Sequence, residues 1–178
     1  MRIIAGTHRG RILHPPKGLP VRPTTDLAKE SLFNILNNRI DYTETRVLDL
    51  FAGTGSISFE FASRGACTVI SVDMEGKSTS FINRAAQDFG FGNLRAVRAE
   101  CIGFIGFCRE KFDVIFADPP YEFPKVAEIP GLIFEKQLLN ENGLLILEHS
   151  SKYNFSSHPQ FTEMRNYSKV HFSFFHLN

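Results

Sequence analysis

Residues 112–121, FDVIFADPPY, constrain the fold more than any other stretch of this chain. Residues 112–117 form a short apolar run rich in β-branched and aromatic side chains, the composition of a strand buried on both faces. The run ends on a carboxylate, Asp118, followed by Pro119, Pro120 and Tyr121. Two successive prolines fix φ and remove two backbone donors, so this tetrapeptide is neither helix nor central strand. The proline that follows holds Asp118 extended. A stiff corner is therefore expected at the carboxyl end of a strand, where open α/β sheets place their ligands. It offers one acid, one outward carbonyl and one aromatic face.

The flanking sequence repeats the same logic. Strands are predicted over residues 47–51, 68–72, 94–99 and 144–148, with helices over 56–64, 78–89, 102–109 and 133–139 between them. A helix is expected over 25–37 as well. There Leu27, Ala28, Leu32, Ile35 and Leu36 share a face, Thr24, Thr25 and Asp26 supply cap chemistry, and Lys29 and Glu30 read as solvated. Residues 161–177, with Asn166 near the middle, read as a closing hairpin, and residues 1–14 as a small hairpin turning over Gly6–Gly10. Residues 14–23, HPPKGLPVRP, form a Pro/Gly linker. Repeated βα units in 178 residues imply one α/β domain, a mostly parallel sheet with helices on both faces. The division expected is a basic hairpin and linker over 1–23 and a main domain over 24–178.

Charge is uneven along this frame. Before Asp26 stand Arg2, Arg9, Arg11, Lys17 and Arg22 with no acid, giving +5; the whole chain carries +1, so the remainder carries −4. A basic arm on a mildly acidic body points to a polyanionic partner, although a solvated basic surface has the same composition. Three cysteines without a CxxC pair and six scattered histidines indicate neither disulfides nor a metal site. No apolar run reaches membrane-spanning length, and a cytoplasmic protein is expected.

The second informative stretch is VLDLFAGTGS, residues 47–56, which reads as strand, Gly-rich turn and helix start. Gly53 and Gly55 would let the backbone approach a ligand. The third glycine of a dinucleotide fingerprint is replaced by Ser58, and the Lys of a phosphate loop is absent. Asp49 in this region would repel a pyrophosphate and attract an α-amino group or a sulfonium, though an acid here can also cap the loop. Asp73 ends the second predicted strand, where an acid accepts from ribose hydroxyls. Glu100 ends the third, within reach of an adenine amino group. Glu75 competes with Asp73 for the ribose. His149, at the end of the fifth strand, reads as a satisfied strand-end histidine, and Phe51 or Phe123 could flank a base.

These residues resemble class I S-adenosylmethionine-dependent methyltransferases, and DPPY resembles the motif of those acting on exocyclic amino nitrogens. More closely, the chain is similar to the RsmD family of 16S rRNA guanine-N2 methyltransferases. The likeness rests on RIIAGTHRGR at 2–11, VRPTTDLAKESLFNIL at 21–36, LDLFAGTGSISFEFASRGA at 48–66 and FADPPY at 116–121. It implies a seven-stranded Rossmann-like sheet and S-adenosylmethionine as cofactor. The turn from Asp49 through Phe51, Ala52 and Gly53 to Gly55 would hold its methionine and ribose portions, Asp73 the ribose hydroxyls, and Glu100 with the backbone of Cys101 the adenine. Thr24 and Thr25 would lie near the methionine end and Arg22 near cofactor or RNA. On the same reading Arg9, Arg11 and Arg22 contact phosphates of 16S rRNA or of an assembling small subunit, and a monomer is expected.

Asp118, Pro119, Pro120 and Tyr121 would then form the catalytic corner, with Asp118 also among the cofactor-binding residues. The Asp118 carboxylate and Pro119 carbonyl are acceptors that can bind N2–H and aim the nitrogen lone pair, and Tyr121 would stack on the base. A base inside a duplex cannot reach such a corner, so a loop or flipped guanine is expected. The rival readings are an amino-group methyltransferase acting on DNA adenine or protein glutamine, and a non-catalytic RNA-binding assembly factor. The chain has no length for the target-recognition domain that DNA enzymes of this type add, and glutamine enzymes favour Asn where Asp118 stands. Intact Asp49, Gly53, Gly55 and DPPY argue against a degenerate site.

Overall fold

The computed structural model describes residues 1–18, 25–167 and 170–177. Seven strands are joined by five helices: α1 (Asp26–Leu36), β1 (Arg46–Leu50), α2 (Ser56–Ser63), β2 (Thr68–Asp73), α3 (Gly76–Phe89), β3 (Leu94–Arg98), α4 (Cys101–Phe107), β4 (Phe112–Ala117), α5 (Ile129–Glu135), β5 (Leu139–His149), β6 (Phe161–Tyr167) and β7 (Val170–His176). They form one sheet in the order β3-β2-β1-β4-β5-β7-β6. The first five strands run parallel; β7 is antiparallel to both β5 and β6. The strand order reverses between β1 and β4, the switch point where a crevice opens above the strand ends.

The central strands alternate between two cores. Val47, Val114, Phe116 and Ile146 face α1, α2 and α3, while Leu48, Leu50, Ile115, Ala117 and Leu147 face α4 and α5. Both cores are apolar, which explains why β4 reads as hydrophobic from Val114 to Ala117.

Among the described residues the expected strands and helices are present, with four informative displacements; residues 19–23 of the expected linker lie outside them. First, α5 begins at Ile129, because Pro130 sits in its first turn, where a missing N–H costs nothing. Gln137 then turns the chain with φ 54°, and β5 starts at Leu139, five residues early, its register shifting against β4 between Phe112 and Val114. Second, Asn166 lies inside β6, paired with His171, and is not a turn residue.

Third, the buried face of α1 comprises Ala28, Lys29, Leu32, Phe33 and Leu36, whereas Leu27 is exposed. Lys29, expected in solvent, is 1% exposed. Its Nζ donates to the Arg2 carbonyl at 2.6 Å and to Ser56 Oγ at 3.2 Å. Burial lowers its pKa, opposed by the nearby Glu60 and Asp26 carboxylates.

Fourth, the amino-terminal arm packs as part of the main core. Ile3 and Leu13 are buried with α1 and α2, and one antiparallel bridge, Arg2 to Ile12, closes the hairpin. Buried Glu60 accepts from the Ile4 and Ala5 amides at 2.8 and 3.0 Å and pairs with Arg64. Gly6 lies against α2 at φ 83°, where a Cβ would come within 1.8 Å of the Ser63 carbonyl oxygen. Glycine is required there on both counts.

Candidate active site

β1, β2, β4 and β5 all end at the same edge of the sheet, and a cavity of about 420 Å³ opens above them. That volume suits a small-molecule site. Asp49, Phe51, Ala52, Gly53, Asp73, Glu100, Cys101, Asp118, Pro119, Pro120, Tyr121 and Thr25 all line it. Thr24 and Arg22 lie outside the described residues.

Asp49 belongs to β1 and not to the turn; it is buried, with its carboxylate accepting from Ser58 Oγ. Burial pushes its pKa up to about 7; the Ser58 hydroxyl opposes the rise, and the Asp118 and Asp73 charges add to it. A cation entering the cavity would restore its charge.

Beyond Leu50 the chain turns through Phe51 at φ 60°, a left-handed backbone rare for a bulky residue. The Phe51 ring meets Phe123 edge-to-face at 5.0 Å, joining the Gly-rich turn to the segment after Tyr121. Gly53 N–H donates to Asp73 Oδ2 at 2.7 Å, and Glu75 N–H to Asp73 Oδ1 at 2.8 Å. Asp73 therefore orders the turn as well as facing the cavity. Glu75 instead caps α3, accepting from Lys77 N–H.

Gly55 has a different place from the one expected. It is absent from the cavity wall and caps α2 at φ 76°, where a Cβ would come within 2.8 Å of Ile82. The smallness required there serves the packing of α2 on α3. Glu100 caps α4, accepting from Ile102 and Gly103 N–H at 3.0 and 2.6 Å. Burial raises the Cys101 thiol to about 12, so it stays protonated and contributes shape, not reactivity.

On the far side, Asp118 N–H reaches back to the Leu50 carbonyl at 3.4 Å, holding the proline corner against β1. Pro119 is buried and Tyr121 is 46% exposed at the rim. Lys152 Nζ donates to the Tyr121 carbonyl at 3.3 Å. Arg9 and Arg11 are exposed on the arm, the Arg11 guanidinium 5.1 Å from the Phe89 ring centre.

The cavity wall also includes Met74, Glu148 and His149, which the sequence reading did not assign to the site. Met74 follows a strand-end acid and is 70% exposed, a position that hydrophobicity alone does not mark. Glu148 could have been found from its offset: it ends the predicted strand over 144–148 as Asp118 ends the apolar run over 112–117. His149 is satisfied, as expected, and also forms part of the wall. Among the described residues, no lysine or arginine lines the cavity, and no three His, Cys, Asp or Glu side chains are grouped to hold a metal ion. Among them, too, no helix is long and apolar enough to cross a membrane.

This strand order, with its antiparallel β7 and a crevice over β1, β2 and β4, is the fold of class I methyltransferases. The solved structure of the Escherichia coli protein yhhF superposes with a TM-score of 0.87 at 26% identity, over 99% of this chain and 97% of that one. The family model described as conserved hypothetical protein 95 matches residues 1–176. YlbH of Bacillus subtilis is 37% identical over 158 residues, 84% of this chain and 82% of that protein. Ribosomal RNA small subunit methyltransferase D of Haemophilus influenzae is 34% identical over 152 residues, 83% of this chain and 78% of that protein. The chain belongs to this family, the RsmD family of methyltransferases.

Proposed function

We propose that this protein transfers a methyl group from S-adenosylmethionine to the exocyclic N2 amine of a guanine in small-subunit ribosomal RNA. The observation that carries the reading is that the acids Asp49, Asp73 and Glu100 and the Asp118–Pro119 corner line one cavity with no cationic side chain among its described lining residues. Such a wall fits a cationic nucleoside without phosphates: Asp73 and Glu100 retain lone pairs for hydroxyl and amino donors, and Asp49 regains its charge beside a cation. The cofactor supplies an electrophilic methyl group on a positively charged sulfur.

The chain supplies position and charge. Guanine N2 is a poor nucleophile because its lone pair is delocalised into the ring. The Asp118 carboxylate and Pro119 carbonyl accept its two N–H bonds, which orients that lone pair and offsets the positive charge growing on nitrogen. Nitrogen must shed a proton once methylated, and the Asp118 carboxylate, already accepting one of its hydrogens, would receive it. Holding the reacting atoms about 3–3.5 Å apart contributes several kcal/mol. The Tyr121 rim offers a stacking face for a base out of its helix. Arg9 and Arg11 on the arm would contact RNA phosphates, with Arg22 as a further contact.

The test is transfer of tritiated methyl groups to separated rRNA, assembled small subunits, DNA and protein. Label in rRNA or in subunits, released by digestion as N2-methylguanosine, is the expected result. Label in DNA adenine or protein glutamine would overturn the reading.

A further inference from the structure

The proline corner defines an amino group but not the base that bears it. Adenine N6, cytosine N4 and guanine N2 all present N–H donors to a carboxylate and a carbonyl. Guanine differs at the atom beside its amine: N1 carries a hydrogen, so ring nitrogen and amine donate side by side. Adenine N1 and cytosine N3 are acceptors instead. A site selective for guanine needs one more acceptor next to those that hold the amine.

β5 places one there. Ala117 pairs with Leu147 in the parallel ladder, so the next residues, Asp118 just past β4 and Glu148 within β5, lie at the same level on neighbouring strands, about 5 Å apart. They also share a face. Ala117 and Leu147 belong to the core on the α4 side and Phe116 and Ile146 to the core on the α1 side, so alternation returns Asp118 and Glu148 to the α1 side. Both line the cavity. Glu148 is fixed from its other flank too, by pairing with Phe172 of β7.

Its neighbour His149 is no rival for the role. The Ser150 carbonyl can only accept, so Nδ1 carries the hydrogen of that 2.8 Å contact, and Nε2 accepts from Ser173 Oγ at 2.8 Å. Both ring nitrogens are engaged, and burial lowers the pKa of the ring.

We propose that Glu148 selects the base: its carboxylate accepts guanine N1–H while Asp118 and Pro119 accept the amine. This rests on the reading of the cavity as an amino-group methyltransferase site. Against adenine the same carboxylate meets the lone pair of N1, an opposition of two acceptors that a partly closed site penalises strongly.

The experiment uses the full-length protein and RNA in which the mapped target guanine is replaced by 2-aminopurine. That base keeps the N2 amine but has an acceptor at N1. Wild type should favour guanine over 2-aminopurine at least 100-fold in kcat/KM. Glu148→Gln, whose amide can donate to N1, should shrink that ratio at least tenfold with unchanged cofactor affinity. Glu148→Asp, which withdraws the carboxylate, should shrink it as well. The missing O6 of 2-aminopurine is common to all the enzymes, so the change in ratio reads Glu148. Equal use of the two bases by wild type, or a ratio unmoved in the variants, would overturn the assignment. Absence of methyl transfer to guanine by the wild-type enzyme would instead remove the underlying reading.

Discussion

The two halves of the cavity are built by different means. On the side of β1–β3, each acid already serves the chain: Asp49 accepts from Ser58, Asp73 from the Gly53 and Glu75 amides, Glu100 from the Ile102 and Gly103 amides. On the side of β4 and β5, shape comes from two prolines and from strand ladders, and Tyr121 stands at the rim. Groups in the first half thus hold the fold and the ligand together. In the second half the conformation is set by backbone constraint, the prolines and the ladder pairing.

Ranked by their effect on methyl transfer, substitutions at four positions probe that contrast. Asp118→Ala should lower kcat by about 10²–10³ or more, since it removes an acceptor aimed at developing charge. Cofactor affinity by calorimetry should stay within a few-fold, and the melting temperature should fall less than it does in Asp73→Ala. A large loss of melting temperature would erase the contrast, because the corner would then be part of the scaffold. Asp73→Ala should behave in the opposite manner. It strips the Gly53 and Glu75 amides of their acceptor, at about 1–3 kcal/mol for each group left unsatisfied. Cofactor affinity should fall roughly 10–100-fold and the melting temperature by several degrees in the same variant. Tyr121→Ala should raise KM for RNA by roughly 5–150-fold, the range of base stacking on an aromatic ring, with kcat little changed. Tyr121→Phe, which keeps the ring, should restore it.

The same contrast explains what was legible in the sequence. The β4 corner could be read because prolines act locally: FDVIFADPPY dictates its own conformation whatever surrounds it. Asp73 was placed at the end of β2 by pattern, but its bonds to Gly53 and Glu75 depend on how the turn folds back and leave no trace in composition. Gly55 shows the converse. A glycine in a Gly-rich turn suggests ligand approach, and its actual neighbour, Ile82, is 27 residues away in the chain. Lys29 was misread because amphipathic periodicity treats a lysine as solvent-facing; the carbonyl of Arg2 and the hydroxyl of Ser56 that bury it come from two other segments. Glu148 was missed because a strand-end acid gains meaning only from its register beside Asp118, and register is a property of the assembled sheet.

Asp49 gives the smallest expected change in turnover and the sharpest test of dual use. Its carboxyl ordinarily titrates at 3.8 and is raised to about 7 in the folded protein, chiefly by burial. The folded chain therefore holds a proton that the unfolded chain releases between those values. The stabilisation this gives is complete below pH 3.8 and is lost as pH rises through about 7. Asp49→Asn keeps a hydrogen-bond partner for Ser58 and never pays for ionisation. Without ligand it should melt above wild type at pH 8, within an upper limit of about 4 kcal/mol set by the shift, an advantage that shrinks as pH falls below about 7 and is gone only below pH 3.8. Binding of a cation runs the other way, because it needs the carboxylate. Wild-type affinity for S-adenosylmethionine should weaken by up to about tenfold from pH 8 to pH 6, while the variant, weaker by about tenfold at pH 8, should show a flat profile. Opposite signs for stability and binding at one carboxylate would show that burial, which costs the empty protein stability, is what prepares this acid for a cationic ligand. A variant that lost both together would make Asp49 a scaffold residue alone.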